Sequence, residues 1–242
     1  MFLVRLSGHS GAGKSRLLAA SKASGLNFHR HILYTSRSPL SGETDGKDYY
    51  FRSRKTIEQL PQERFIVRPV RQMLQAVDID TLEHDLRSNK LVIVEIHYKL
   101  WPDVKTAIIE RLGKQLKTLS VYLTTVDPSF LRDVCAEEAA IRIRESVERI
   151  LTFRGRDSSE EIHQRADSAV EEVLGALRNK NAYDSIIFSA PEGPNGQDDW
   201  TRDISPVGQA AQALKEFLSL IKAETSLPQS ETKRRGLRES PK

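Results

Sequence analysis

The eight residues Gly8-His9-Ser10-Gly11-Ala12-Gly13-Lys14-Ser15 satisfy every fixed position of the pattern G-x-x-x-x-G-K-[ST]. That spacing serves one kind of chemistry, the grip on a nucleotide triphosphate. Glycines let backbone N–H groups turn inward on phosphate oxygens, and the following helix directs its positive end at the same charge. On this reading the nucleotide-binding set is Gly8, His9, Ser10, Gly11, Ala12, Gly13, Lys14, Ser15 and Arg16. Lys14 reaches the β- and γ-phosphates and acts in catalysis, and Ser15 ligates Mg²⁺. The flanks supply the elements such a loop needs: the β-prone run Phe2-Leu3-Val4-Arg5-Leu6-Ser7 before it, and the helical Arg16-Leu17-Leu18-Ala19-Ala20 after it.

Beyond the loop, helix and strand signals alternate. A helix is predicted from Ser15 to about Gly25, and His31-Ile32-Leu33-Tyr34 reads as a short strand. A turn-rich segment, Ser38 to Lys47, then leads into the aromatic run Tyr49-Tyr50-Phe51. Helices are predicted over 54–60 and 80–88, and the apolar runs Leu91 to Ile96 and Leu119 to Leu123 read as buried parallel strands. Residues 129–152 carry one charged helical pattern and 158–178 a second, the latter opening on Ser158, Ser159 and Glu161. Ser185-Ile186-Ile187-Phe188 is a last strand, followed by a Pro- and Gly-rich loop at 191–200, a helix at 206–223 and a polar tail at 224–242. The expected fold is an α/β sandwich around a mostly parallel sheet, within one domain spanning 1–223.

Composition narrows the setting. No apolar run approaches the roughly 18 residues of a membrane span, so a membrane role is not expected. The first strand begins directly after Met1, which leaves no room for a leader, and a cytoplasmic protein is expected. Cys135 is the only cysteine, so no internal disulfide can form. The net charge of +4 resides partly in the run Lys233-Arg234-Arg235, Arg238 and Lys242, which lacks interleaved aromatics. Nucleic acid is therefore not expected as a partner, and no signal for an oligomeric state is present.

Two further motifs stand in order after the loop. One is Thr35-Ser36-Arg37-Ser38-Pro39-Leu40-Ser41-Gly42-Glu43-Thr44-Asp45-Gly46-Lys47-Asp48-Tyr49-Tyr50-Phe51, and the other runs from Arg154-Gly155-Arg156-Asp157 to Arg165. With the phosphate loop they resemble the guanylate kinases, as a divergent member of that P-loop family. The resemblance implies an ATP- and Mg²⁺-dependent kinase with an acceptor-binding insertion at about 33–89 and a helical lid at about 131–165. It implies that Arg37 and Tyr49 bind the acceptor phosphate, that Glu43 belongs to the acceptor site, and that Arg154 and Arg165 are catalytic lid arginines. Glu95 and His97, at the end of an apolar strand, are further acceptor-site candidates, because ligands of open α/β sheets bind beyond the carboxyl ends of strands.

The departures bear on the acceptor. The family's second acceptor arginine is Leu40 here, and its Phe-Ile-Glu reads Phe65-Ile66-Val67. Its Asp-x-Asp appears as Glu95-Ile96-His97, its Tyr-x-Gly-[ST] has no counterpart in 71–77, and its Asn-Asp after the last strand is Ser189-Ala190. Arg68 and Arg71 fall where acceptor contacts are expected, and both also suit an exposed surface. Residues 129–153 exceed the family's helix before Arg-Gly, with 135–140 as an extension. The partner expected is thus a small phosphorylated acceptor, GMP or another nucleoside monophosphate first. A sugar phosphate, or a catalytically weak binding module, is the alternative.

Overall fold

In a computed structural model the described residues are 1–155, 157–179, 181–190 and 206–226. In chain order they form β1 (Phe2–Gly8), α1 (Lys14–Ala23), β2 (His29–His31), β3 (Tyr34–Thr35), β4 (Tyr50–Phe51) and α2 (Arg54–Glu58). Next come β5 (Phe65–Val70), β6 (Met73–Asp78), α3 (Ile79–Ser88), β7 (Leu91–Glu95) and α4 (Trp101–Leu112). The chain continues as β8 (Lys117–Thr124), α5 (Pro128–Asp133), α6 (Ala136–Arg154), α7 (Ser159–Arg178), β9 (Ser185–Phe188) and α8 (Gly208–Ser226).

Strands β2-β7-β1-β8-β9 make a five-stranded sheet in which each pairing is parallel, with β1 at its centre. Side chains alternate along β1. Phe2, Val4 and Leu6 pack with Leu17 and Leu18 of α1 and Phe217 of α8. On the other face Leu3 joins Val92 and Val94 against Leu82 and Leu86 of α3 and Trp101, Val104 and Ile108 of α4. Each such side chain, fully buried, contributes about 1.5–3 kcal/mol, and together they fix the sheet as a rigid platform. A third cluster joins Ile143, Val147 and Leu151 of α6 to Ala166, Ala169 and Val173 of α7, over Tyr122 of β8.

A second sheet of order β4-β3-β6-β5 brackets residues 35–51, the segment expected to bind the acceptor. Residues predicted as one strand at 31–34 are divided between the two sheets: His31 pairs with Val94, and Tyr34 pairs with Ala76. The β5–β6 hairpin has little sequence signature, because its turn is Arg71-Gln72 rather than a Gly or Asn pair and Pro69 interrupts β5. Pro69 is accommodated because β5 is an edge strand. The single helix predicted over 129–152 is two, separated at Val134 and Cys135, both extended. β-Branched Val134 suits that break. Helix α8 reaches Ser226, so the start of the predicted tail is helical. The loop at 191–200, Arg156 and residues 227–242 lie outside the described residues.

Candidate active site

The phosphate loop joins β1 to α1. At Gly8 a Cβ would lie 2.5 Å from the carbonyl oxygen of Leu123, so the crossing over β8 admits no side chain. Gly13, at φ 85°, is the N-cap of α1, and no side chain caps that helix. Its first N–H groups are thus left for an anion. Lys14 Nζ donates to the carbonyls of Gly8 at 2.6 Å and His9 at 3.1 Å, curling back over the loop. Burial lowers its pKa, with Glu95 and Glu172 acting in the opposite sense. Ser15 is exposed on the first turn.

His9 explains how the loop keeps its shape. Its Nε2 lies 3.2 Å from the Thr125 N–H and so accepts, which leaves Nδ1–H to donate to the Ser10 carbonyl at 2.6 Å. In a trans peptide the N–H points opposite the C=O, so holding the Ser10 carbonyl aside directs the Gly11 N–H the other way. Thr125 Oγ1 in turn lies 2.9 Å from Ser146 Oγ, which links the loop to α6. Burial keeps His9 neutral, with its pKa pushed down to about 4. Arg154, at the end of α6, reaches the Gly11 carbonyl at 3.4 Å.

Beside the loop a cavity of about 170 Å³ is lined by Ser10 and Lys14, by Arg37, Leu40 and Tyr49 of the 35–51 segment, by Glu95 at the end of β7 and His97 just beyond it, and by Arg165 and Glu172 of α7. The guanidinium of Arg37 forks onto both oxygens of Glu43, at 2.5 and 2.6 Å, and rests over the rings of Tyr49 (5.0 Å) and Phe51 (5.3 Å). Glu43 also accepts the Leu40 N–H at 2.7 Å. Burial opposes its charge, yet the Arg37 fork and this N–H hold Glu43 below the usual carboxylate range. Glu43 therefore sits behind Arg37, outside the cavity lining. Arg165 is paired with Asp157 at 2.9 Å and Glu95 with Arg30 at 2.8 Å.

The cavity brings together Lys14, Arg37, Tyr49, Glu95, His97 and Arg165, which come from four separate stretches of chain. Glu172, absent from the sequence-derived site, completes it together with Arg71, which the sequence placed where acceptor contacts are expected or on an exposed surface. Glu172 accepts from Arg71 at 3.0 Å and lies 3.3 Å from His97 Nε2. Burial would raise its pKa, but His97 and Arg71 bring it down to about 2. Its signal was a carboxylate on the apolar stripe Ala169, Val173 and Ala176 of a predicted helix. Arg71 faces the cavity, whereas Arg68 pairs with Asp103 at the surface. Arg71 Nε and Gln75 Oε1, both in the cavity wall, are buried without a hydrogen-bond partner. A built wall with open polar valences is suited to a polar ligand.

A family model described as guanylate kinase matches residues 2–124. The guanylate kinase of Trichormus variabilis is 27% identical over 183 residues, covering 72% of this chain and 77% of that protein. That of Thermus thermophilus is 28% identical over 186 residues, covering 76% and 72%, and that of Lactococcus lactis 28% identical over 189 residues, covering 77% and 79%. Among solved structures, a guanylate kinase from Anaplasma phagocytophilum superposes with a TM-score of 0.54 at 17% identity, over 94% of this chain and 88% of that one, a likeness of fold. No helix among the described residues is long and apolar enough to cross a membrane.

Proposed function

Since the chain belongs to the guanylate kinase family and is an ATP-dependent kinase, we propose that it passes the γ-phosphoryl group of ATP to the phosphate of a nucleoside monophosphate, with GMP the first candidate. The observation that carries this reading is the shared cavity. Lys14 of the phosphate loop faces the same space as Arg37 and Tyr49 of the acceptor segment and Arg165 of the lid. Cations from both sides of a phosphoryl group in flight neutralise the charge it spreads over its oxygens. Mg²⁺ would be held by Ser15 and the phosphates, a donor set such an ion accepts, and it would draw charge from the β- and γ-oxygens. The uncapped start of α1 and the left-handed Gly13 fit this triphosphate role. Arg37, pre-forked by Glu43, would take the acceptor phosphate, and Tyr49 would donate its hydroxyl to it. Arg154 and Arg165 would close over the transferring group.

A second acceptor class, a sugar phosphate, is favoured by the size and lining of the cavity. Its volume of about 170 Å³ is below the roughly 300–1,000 Å³ common for small-molecule pockets. Leu40 lines it and Val67 stands where the family places a carboxylate. ADP release with Mg²⁺ and ATP, measured across the nucleoside monophosphates and a panel of pentose and hexose phosphates, separates the two. Turnover with a nucleoside monophosphate supports the first reading, and turnover restricted to a sugar phosphate supports the second. Absence of turnover with every acceptor overturns both.

A further inference from the structure

The β5–β6 hairpin closes on two residues, Arg71 and Gln72, between the paired Val70 and Met73. Among the described residues Arg71 is the one non-glycine with positive φ, at 56°. A left-handed first position in a two-residue hairpin is ordinarily given to glycine. A side chain held there against that preference implies surroundings that over-determine it, a pattern concentrated at ligand clamps.

Those surroundings are specific. Arg71 Nη2 donates to Glu172 at 3.0 Å, and Nη1 lies 3.4 Å from Ser10 Oγ in the phosphate loop. Lys99 N–H donates to His97 Nδ1 at 3.3 Å, so His97 carries its hydrogen on Nε2 and donates to the same Glu172 oxygen. Glu172 thus fixes one side of the guanidinium. Nε is buried without a partner, and the group stands in the cavity wall that Lys14 and Arg37 share. A planar fork with an unmatched N–H, sharing one cavity with two other cations, has the chemistry of a phosphoryl-oxygen site.

We propose that Arg71 binds a phosphoryl oxygen where the phosphate loop meets the acceptor cavity, with Glu172 and His97 as its positioning residues. The oxygen belongs either to the γ-phosphate of ATP or to the acceptor's phosphate, and Arg71 reaches it from the acceptor hairpin rather than from the lid. The inference rests on the assignment of Gly8 to Ser15 as the ATP site.

The test uses the full chain and needs no turnover. Arg71→Gly keeps the left-handed backbone and removes the fork, while Arg71→Lys keeps the charge without the planar fork. Binding of Mg·ATP, Mg·ADP and inorganic phosphate is measured by calorimetry, with thermal melts as the check on folding. A loss of about tenfold or more for ATP, with ADP unchanged, assigns the oxygen to the γ-phosphate. The same loss for phosphate alone assigns it to the acceptor. Glu172→Gln should weaken the same ligand in the native background and add nothing in the Arg71→Gly background, as a positioning role requires. Variants that melt and bind all three ligands like the parent, or that lose ADP as much as ATP, overturn the proposal. If Arg71→Gly does not fold, Arg71→Lys decides. A parent chain that binds neither nucleotide would instead remove the ATP reading, and the phosphate arm would then decide for Arg71 alone.

Discussion

The phosphate loop and the cavity proposed to take the acceptor adjoin, yet they are held by different means. Backbone shapes the loop: glycine at the crossing of β8, a left-handed N-cap at Gly13, and a lysine folded onto loop carbonyls. Its buried side-chain support, His9, is neutral. In the cavity the arginines are held by carboxylates, Arg37 by Glu43, Arg71 by Glu172 and Arg165 by Asp157. A backbone site needs few specific side chains and tolerates many sequences around it. A site of ion pairs can be rebuilt by exchanging pairs, which makes it the half where specificity is free to change.

If that contrast is right, the largest loss of activity comes from the donor half. Lys14→Ala should lower turnover by on the order of 10²–10³-fold, measured as ADP release, because it removes a cation aimed at the transferring group. A smaller loss, comparable to that from an acceptor-side change, would break the contrast.

Acid should next separate the halves by pH. His9 has a folded pKa of about 4 against an ordinary 6.5, so the unfolded chain binds a proton that the folded chain refuses. Stability is then full above about 6.5 and falls towards pH 4, by about 3 kcal/mol for this group. Glu172, at about 2 against an ordinary 4.5, contributes its decline in the lower window, from about 4.5 down to 2. Urea midpoints between pH 7 and 4 should shift progressively in the parent, and His9→Gln should flatten the upper window only.

Smaller effects test the carboxylate supports. Arg37→Lys keeps the charge and loses the fork, so kcat/KM for the acceptor should fall by about 10- to 100-fold with the KM for ATP unmoved. Glu43→Gln leaves Arg37 in place but loosely held, and should raise the acceptor KM by about fivefold, the equivalent of about 1 kcal/mol. An equal rise in the KM for ATP would show that Glu43 supports the whole cleft.

The same division decided what could be read from the amino-acid order. The loop, its strand and its helix are contiguous, and β7 declares itself by the apolar run Leu91 to Val94. The capping box at Ser158 and Glu161 was visible because its partners lie three residues apart. Arg37 and Tyr49 were legible only through a longer motif. Glu172 lies 101 positions from Arg71, and no local pattern announces a pair so distant. The hairpin that carries Arg71 was hidden by a turn without glycine, and α4 by the lack of a strong start signal beyond Pro102. The break at Val134 and Cys135 was masked because helical periodicity continues on both sides of it.

That break gives the molecule a built-in reporter. Cys135 is the only thiol in the chain, it is exposed, and it sits at the first end of α6, whose far end carries Arg154 to the phosphate loop. A single maleimide dye would therefore attach at one place without any engineered cysteine. Distance measurements from that dye to a fluorescent nucleotide would report any displacement of α6 from the phosphate loop.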